Sequence, residues 1–122
     1  MGCCKSKDIL TYYPDSDIVR FEGNPNGFGI LYDINHQPLY KGNWFNGYRH
    51  GIGTSYYTSG TVRYTGQWSI DYYQGIGTEF HPNGNPKYIG EWRNGMYHGK
   101  GTVYDLFNKA IFQGQWLNGR KV

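Results

Sequence analysis

The stretch YKGNWFNGYRHGIGT at residues 40–54 returns as YTGQWSIDYYQGIGT from Tyr64 and as YIGEWRNGMYHGKGT from Tyr88, and FQGQWLNG opens a fourth copy at Phe112. The copies start at residues 40, 64, 88 and 112, a constant step of 24. A fixed step of this length marks stacked supersecondary units, each burying its apolar side against the next, and not a single localised site. A shortened copy precedes them: Phe21-Glu22-Gly23 stands for Tyr-x-Gly and Gly27-Phe28-Gly29 for Gly-x-Gly, with the Trp-bearing part between them missing. The chain therefore divides into a tether or cap at 1–20, a truncated first repeat at 21–39, repeats at 40–63, 64–87 and 88–111, and a partial repeat at 112–122.

Within one unit, Tyr40, Gly42 and Trp44 obey a period of two, which places them on one face of a strand. Asn46-Gly47 then reads as a two-residue hairpin turn, and Ser59-Gly60 as a second. Two-residue loops put Gly42 opposite Gly51, Tyr40 opposite Gly53, Gly53 opposite Gly66, and Gly51 opposite Trp68. Each ring then has a missing side chain beside it, so the repeat core is Tyr40, Trp44, Tyr64, Trp68, Tyr88, Trp92, Phe112 and Trp116. The substitutions agree with this, because Asp71 replaces the turn Gly47 and Asn108 replaces Gly60, both residue types that tolerate φ > 0. Pro82 and Pro86 flank Asn83-Gly84, which predicts a wider hairpin there with lost ladder bonds and makes the second repeat the least regular.

Composition agrees with an all-β chain. The rings (Trp 4, Tyr 13, Phe 6) outweigh the aliphatic core formers, Ala110 is the one alanine, and Gly 19 excludes long helices, since each glycine in a helix interior costs about 1 kcal/mol relative to alanine. With roughly 4.8 Å between strands and two strands per unit, the array should be on the order of 40 Å long. Such a sheet has two edges, expected near Phe21 and Phe112. Residues 9–20 are placed to cover the first, and Arg120-Lys121 to blunt the second or leave it to pair with another chain.

The pattern Tyr-x-Gly-x-Trp-x-x-Gly-x-x-His-Gly-x-Gly-Thr, most complete at 40–54 and 88–102, resembles the MORN (membrane occupation and recognition nexus) repeat family. The resemblance implies an elongated, single-layer, twisted antiparallel β-meander of repeated hairpins with rings packed along a groove. It also implies a scaffold without its own catalytic domain, in contact with membranes or phosphoinositides in some members and part of ciliary assemblies in others. The chain departs from the pattern at Asp71, Gln74 and Lys100.

The N-terminus MGCCKSKD fits the myristoylation pattern, with Gly2 as the acylated amine after loss of Met1 and Ser6 at the required place. One myristoyl chain anchors only marginally, and Cys3 and Cys4 beside it supply two thiols for palmitate. The tether is followed by Asp8, Asp15 and Asp17, so a polybasic second signal is not expected. No apolar run approaches the roughly 18 residues of a membrane span, and no secretory h-region opens the chain, so the expected place is the cytosol with attachment to its membranes.

Catalysis has no foothold in this pattern. His50 and His98 share a repeat position but lie two units apart, roughly 20 Å by strand spacing, too far to hold one metal. Gly99-Lys100-Gly101-Thr102 lacks the spacing of a phosphate loop. No metal, cofactor or nucleic acid is expected, since the rings that would stack bases are committed to the core. Residues 1–39 carry fewer Lys/Arg than Asp/Glu and residues 40–122 the reverse. A mildly basic second part suits anionic headgroups or an acidic protein, or is simply a solvated surface. The basic candidates for such contact are Lys41, Arg49, Arg63, Lys87, Arg93, Arg120 and Lys121. Two functions follow: a tethered, non-enzymatic adaptor for a protein partner or anionic lipid, or an architectural subunit of a ciliary or cytoskeletal assembly.

Overall fold

The computed structural model describes residues 18–122. They form ten strands: β1 (Ile18–Gly23), β2 (Phe28–Asp33), β3 (Pro38–Phe45), β4 (Tyr48–Tyr56), β5 (Val62–Ser69), β6 (Tyr72–Phe80), β7 (Pro86–Arg93), β8 (Met96–Tyr104), β9 (Ala110–Leu117) and β10 (Arg120–Lys121). The strands lie side by side in chain order in one open antiparallel sheet, the predicted single-layer meander. At one end of the sheet, β1 starts at Ile18, so residues 18–20 belong to the edge strand itself. The rest of the segment expected to cover this edge lies outside the described residues. At the other end, Phe112 does not lie on the outermost strand: Lys121 pairs with Trp116 and Arg120 with Leu117, which places the tail as β10 along part of β9.

Each unit has two kinds of hairpin end. At the first, both central residues take positive φ: 50° and 80° at Asn46-Gly47, 50° and 79° at Asn94-Gly95, 49° and 84° at Asn118-Gly119. This is the turn whose twist matches a right-handed strand pair. Asp71 holds φ 70° there, as expected of its residue type, but its neighbour Ile70 is β-branched and sits at φ 44°, a costly conformation that needs outside support. At the second kind of end, Tyr57 N–H donates to Thr61 O (2.8 Å) and Gly60 N–H to Tyr57 O (2.9 Å). The proline hairpin repeats these bonds, His81 to Asn85 at 2.8 Å and Gly84 to His81 at 2.9 Å, so it is no wider than the others. Neither Pro82 nor Pro86 is asked for an N–H in this turn, which is why the expected disruption is absent. Asn108 takes φ 67° at the glycine position, as its type predicts.

The register inside each unit corrects the one expected from the turn alone. Near the turn Trp44 pairs with Arg49, but further along Gly42 pairs with Gly53 and Tyr40 with Ser55, not with Gly51 and Gly53. The single residue Asn43 faces His50, Gly51 and Ile52, a bulge of two extra residues that repeats at Gln67 and Glu91. Gly51, Gly75 and Gly99, at φ 86°, 83° and 60°, make the bend possible. Because two residues are added, the in-out alternation survives and the rings stay on their predicted face. Between units the expected pairs hold, with Gly53 opposite Gly66 and Gly51 opposite Trp68.

The bulge and the rings need each other. The hydroxyls of Tyr40, Tyr64 and Tyr88 donate to the carbonyls of Asn43, Gln67 and Glu91, the residues facing the bulges, at 2.9, 2.7 and 2.8 Å. To get there each ring crosses bare backbone: a Cβ added at Gly53, Gly77 or Gly101 would overlap the ring of Tyr40, Tyr64 or Tyr88. Each indole donates to the unit before it, Trp44 to Gly29 O, Trp68 to Gly53 O and Trp92 to Gly77 O at 3.0 Å, and Trp116 to Gly101 O at 3.1 Å. The buried cluster is Leu31 and these rings, with Tyr64 and Tyr88 fully inaccessible. Among the described residues the opposite face holds no such layer, and Phe28, Ile52 and Ile76 are exposed there at the 24-residue step, with Lys100 next in the row.

Candidate functional site

The groove face is a continuous run of edge-to-face ring contacts with centroids about 5 Å apart. It passes from Phe21–Trp44 (5.2 Å) through Tyr40–Trp68 (5.2 Å) and Tyr64–Trp92 (5.5 Å) to Phe112–Trp116 (5.3 Å). In the second and third full units a further tyrosine closes the groove over the core tyrosine: Tyr73 stacks flat on Tyr64 at 3.8 Å and Tyr97 on Tyr88 at 3.9 Å. Tyr97 Oη also donates to Glu79 Oε1 at 3.2 Å. Burial raises the pKa of Tyr40, Tyr64, Tyr73, Tyr88 and Tyr97, because the phenolate would lose its hydration there.

The unit at 40–63 departs from this design. The position of Tyr73 and Tyr97 is held by Arg49, one repeat earlier, and no ring is stacked flat on Tyr40 among the described residues. Arg49 instead lies 4.5 Å over the Trp68 ring and binds Asp71, through its backbone N–H (2.8 Å) and Nε (2.9 Å) to Oδ1 and through Nη2 to the Asp71 carbonyl (3.3 Å). The Asp71 side chain is 4% exposed. This pair supports the Ile70-Asp71 turn, where Ile70 N–H also donates to His50 Nδ1 at 3.2 Å. The two departures from the repeat, Arg49 for tyrosine and Asp71 for glycine, thus answer each other across neighbouring hairpins. The outcome is an opening of about 390 Å³ in the groove, walled by Tyr40, Arg49, Ser55, Arg63, Trp68 and Tyr73 among others.

The basic residues singled out from the sequence do not form one patch. Arg49 and Arg63 line the opening. Lys41 and Lys121 lie over rings, 5.9 Å from Tyr56 and 4.5 Å from Phe112, and Arg63 is 5.7 Å from Tyr57. Lys87, Arg93 and Arg120 are exposed. Gly2, Cys3 and Cys4 lie outside the described residues. The core set from Tyr40 to Trp116 is brought together on the groove face. The Arg49–Asp71 pair and the Tyr73 and Tyr97 stacks were not read from the sequence. The signal for the stacks was the 24-residue step between two tyrosines; for the pair it was the coincidence of two off-pattern residues of opposite charge. Among the described residues no cluster of three His, Cys, Asp or Glu is placed to hold a metal ion.

A ladder of repeated hairpins that holds its rings within one layer defines a β-repeat protein, a molecule whose faces and edges are its working parts. The MORN repeat pattern matches residues 40–62, 64–85, 88–104 and 112–122, and the chain belongs to the MORN repeat family. No curated protein matches the chain.

Proposed function

We propose that this MORN-repeat protein is a non-enzymatic adaptor, held to the cytosolic leaflet by acyl chains on Gly2 with Cys3 or Cys4, that presents its sheet to a protein partner or to anionic lipid headgroups. The observation that carries the reading is the acylation motif MGCCKS at the head of a sheet whose rings satisfy their own hydrogen bonds. A layer that completes its core internally leaves its outer surfaces available for contact. Lys41, Lys87, Arg93 and Arg120 are the exposed cations suited to anionic headgroups or acidic side chains.

Metabolic labelling with a tagged myristate, followed by flotation of membranes, tests the tether. The wild type should label and float, Gly2→Ala should do neither, and Cys3→Ser with Cys4→Ser should label but float weakly, since a single chain anchors marginally. Wild type that takes no label, or Gly2→Ala that still pellets with the cytoskeleton, would remove the tether and favour an architectural role.

A further inference from the structure

The second kind of hairpin end recurs four times along one edge of the sheet, at 33–37, 57–61, 81–85 and 105–109, closed each time by the same two backbone bonds. The two places at its tip are held by Ile34-Asn35, Thr58-Ser59, Pro82-Asn83 and Leu106-Phe107. Single exposed apolar residues are ordinary on a protein surface. Leu106 and Phe107 are instead a pair at one tip, and Phe107, at 85%, is the most exposed large apolar side chain among the described residues.

This tip is held rigidly in its outward pose. Asp105 Oδ1 accepts from the backbone N–H of Phe107 (2.8 Å) and of Lys109 (3.0 Å). The Leu106 carbonyl accepts from Nδ2 of Asn83 (2.8 Å) and of Asn85 (3.0 Å) in the neighbouring hairpin. The polar backbone of the turn is thus satisfied by the protein itself, so carrying it out of bulk water costs little. A convex tip of this kind offers no pocket to a peptide and suits a medium without fixed shape. Lys109 in the same turn and Lys87 at the start of β7 are exposed cations beside it.

The chain enters the sheet at the same edge. Ile18, the first residue of β1, pairs with Asp33, which opens the first of the four turns, and Ile34 at that tip is 61% exposed. From there to Leu106 is six strand spacings, roughly 29 Å. The edge therefore has the entry of the tethered segment at one end and the Leu-Phe tip at the other.

We propose that Leu106 and Phe107 enter the boundary between headgroups and acyl chains of the membrane to which the chain is tethered, so that the sheet stands on this edge. The choice of a lipid surface rests on the proposed tether. To a single lipid anchor, which binds marginally, the tip adds a second foothold. Held at both ends of one edge, the sheet keeps its groove and its opposite face open to the cytosol.

The experiment replaces the acyl chain by chemistry. The Cys4→Ser chain is coupled through Cys3 to a maleimide-bearing lipid in vesicles of phosphatidylcholine and phosphatidylserine, and Phe107→Trp is introduced as a reporter. The four native indoles are 7% exposed or less, so the added one dominates any response to lipid. Its emission should shift to the blue and be quenched by lipids brominated in their acyl chains. Leu117→Trp, at a place 54% exposed beside the turns of the opposite edge, should do neither. In the myristoylated protein, Leu106→Ser with Phe107→Ser should lower partition into the same vesicles about tenfold or more, and Leu117→Ser should leave it unchanged. An unquenched Phe107→Trp indole on the vesicles would overturn the inference and turn the tip toward a pocket on a partner protein. Equal quenching at both edges would overturn it too, since the sheet would then lie flat. Because coupling through Cys3 needs no acylation, failure of myristate labelling leaves this measurement intact, and failure of the tip leaves the labelling intact.

Discussion

Gly77→Ala tests the relation between ring and bare backbone most directly. Gly77 does not have a left-handed φ, so alanine suffers no conformational penalty there and should gain about 0.5 kcal/mol by stiffening the unfolded chain. Against that, the new methyl enters the Tyr64 ring, which is fully buried, stacked on Tyr73 and bonded at 2.7 Å to Gln67 O. Overpacking of this kind costs about 1–3 kcal/mol, and pushing the hydroxyl off its carbonyl about 1 kcal/mol more. The net is a loss of about 2–3 kcal/mol. Gly84→Ala is the control: an added Cβ there meets nothing within 4 Å, and φ +93° alone is charged, about 1–2 kcal/mol. Urea unfolding followed by tryptophan fluorescence measures both. A double-mutant cycle of Gly77→Ala with Tyr64→Leu should show the two losses falling short of additive by about 1 kcal/mol or more, since the smaller side chain gives the methyl room. Additive losses, or Gly77→Ala no worse than Gly84→Ala, would refute the packing argument.

Asp71→Asn keeps a residue that tolerates φ > 0 but takes the charge from the Arg49 pair, and should cost about 2 kcal/mol in the same assay; a neutral result would mean that the turn needs no support from Arg49. Trp68→Phe removes the 3.0 Å bond to Gly53 O and leaves a void between two units, a loss of about 2–3 kcal/mol, while Trp116→Phe at the end of the array should cost less. For alkaline pH the sign is set by tyrosines whose folded pKa is raised by burial: the stability they add is complete below the ordinary value of 10.0 and is lost as pH rises through the folded values. Absorbance at phenolate wavelengths should therefore rise in two waves, the second coinciding with loss of near-ultraviolet dichroism; one wave with the fold intact would contradict it. At acid pH, Asp105 is held below its ordinary value by the backbone N–H groups of Lys109 and Phe107, so its contribution is present above that value and fades as pH falls. Asp105→Asn should flatten the acid limb of the stability profile.

The face on which each ring lies was legible because parity is robust: any even insertion preserves it, and Tyr40, Gly42 and Trp44 could share a surface in no other regular structure. The register was not, because the turn at Asn46-Gly47 fixes pairing only as far as the bulge. Gly51 was assigned a place as Gly42's partner when its φ of 86° makes it the hinge of the extra residues. The sequence does not distinguish a glycine that makes room from one that bends the chain, and only the second kind adds residues to a strand. Proline misled for a related reason. Pro82 and Pro86 break ladders where an N–H is required, and the actual turn requires those of His81 and Gly84 instead. Arg49 looked like one more surface cation, and its role appears only when its partner, 22 residues on, is brought alongside by the hairpin.

Every indole in the array reaches back 15 residues to its carbonyl, and the core phenols of Tyr40, Tyr64 and Tyr88 reach forward three. Almost nothing in the core waits for a distant part of the chain. A nascent protein wired over such short spans can settle hairpin by hairpin as it leaves the ribosome, with little loop-closure entropy to overcome at each step. The same locality means that deleting one whole 24-residue period would splice equivalent neighbours together, so evolution can lengthen or shorten the array by gene segments without redesigning what remains.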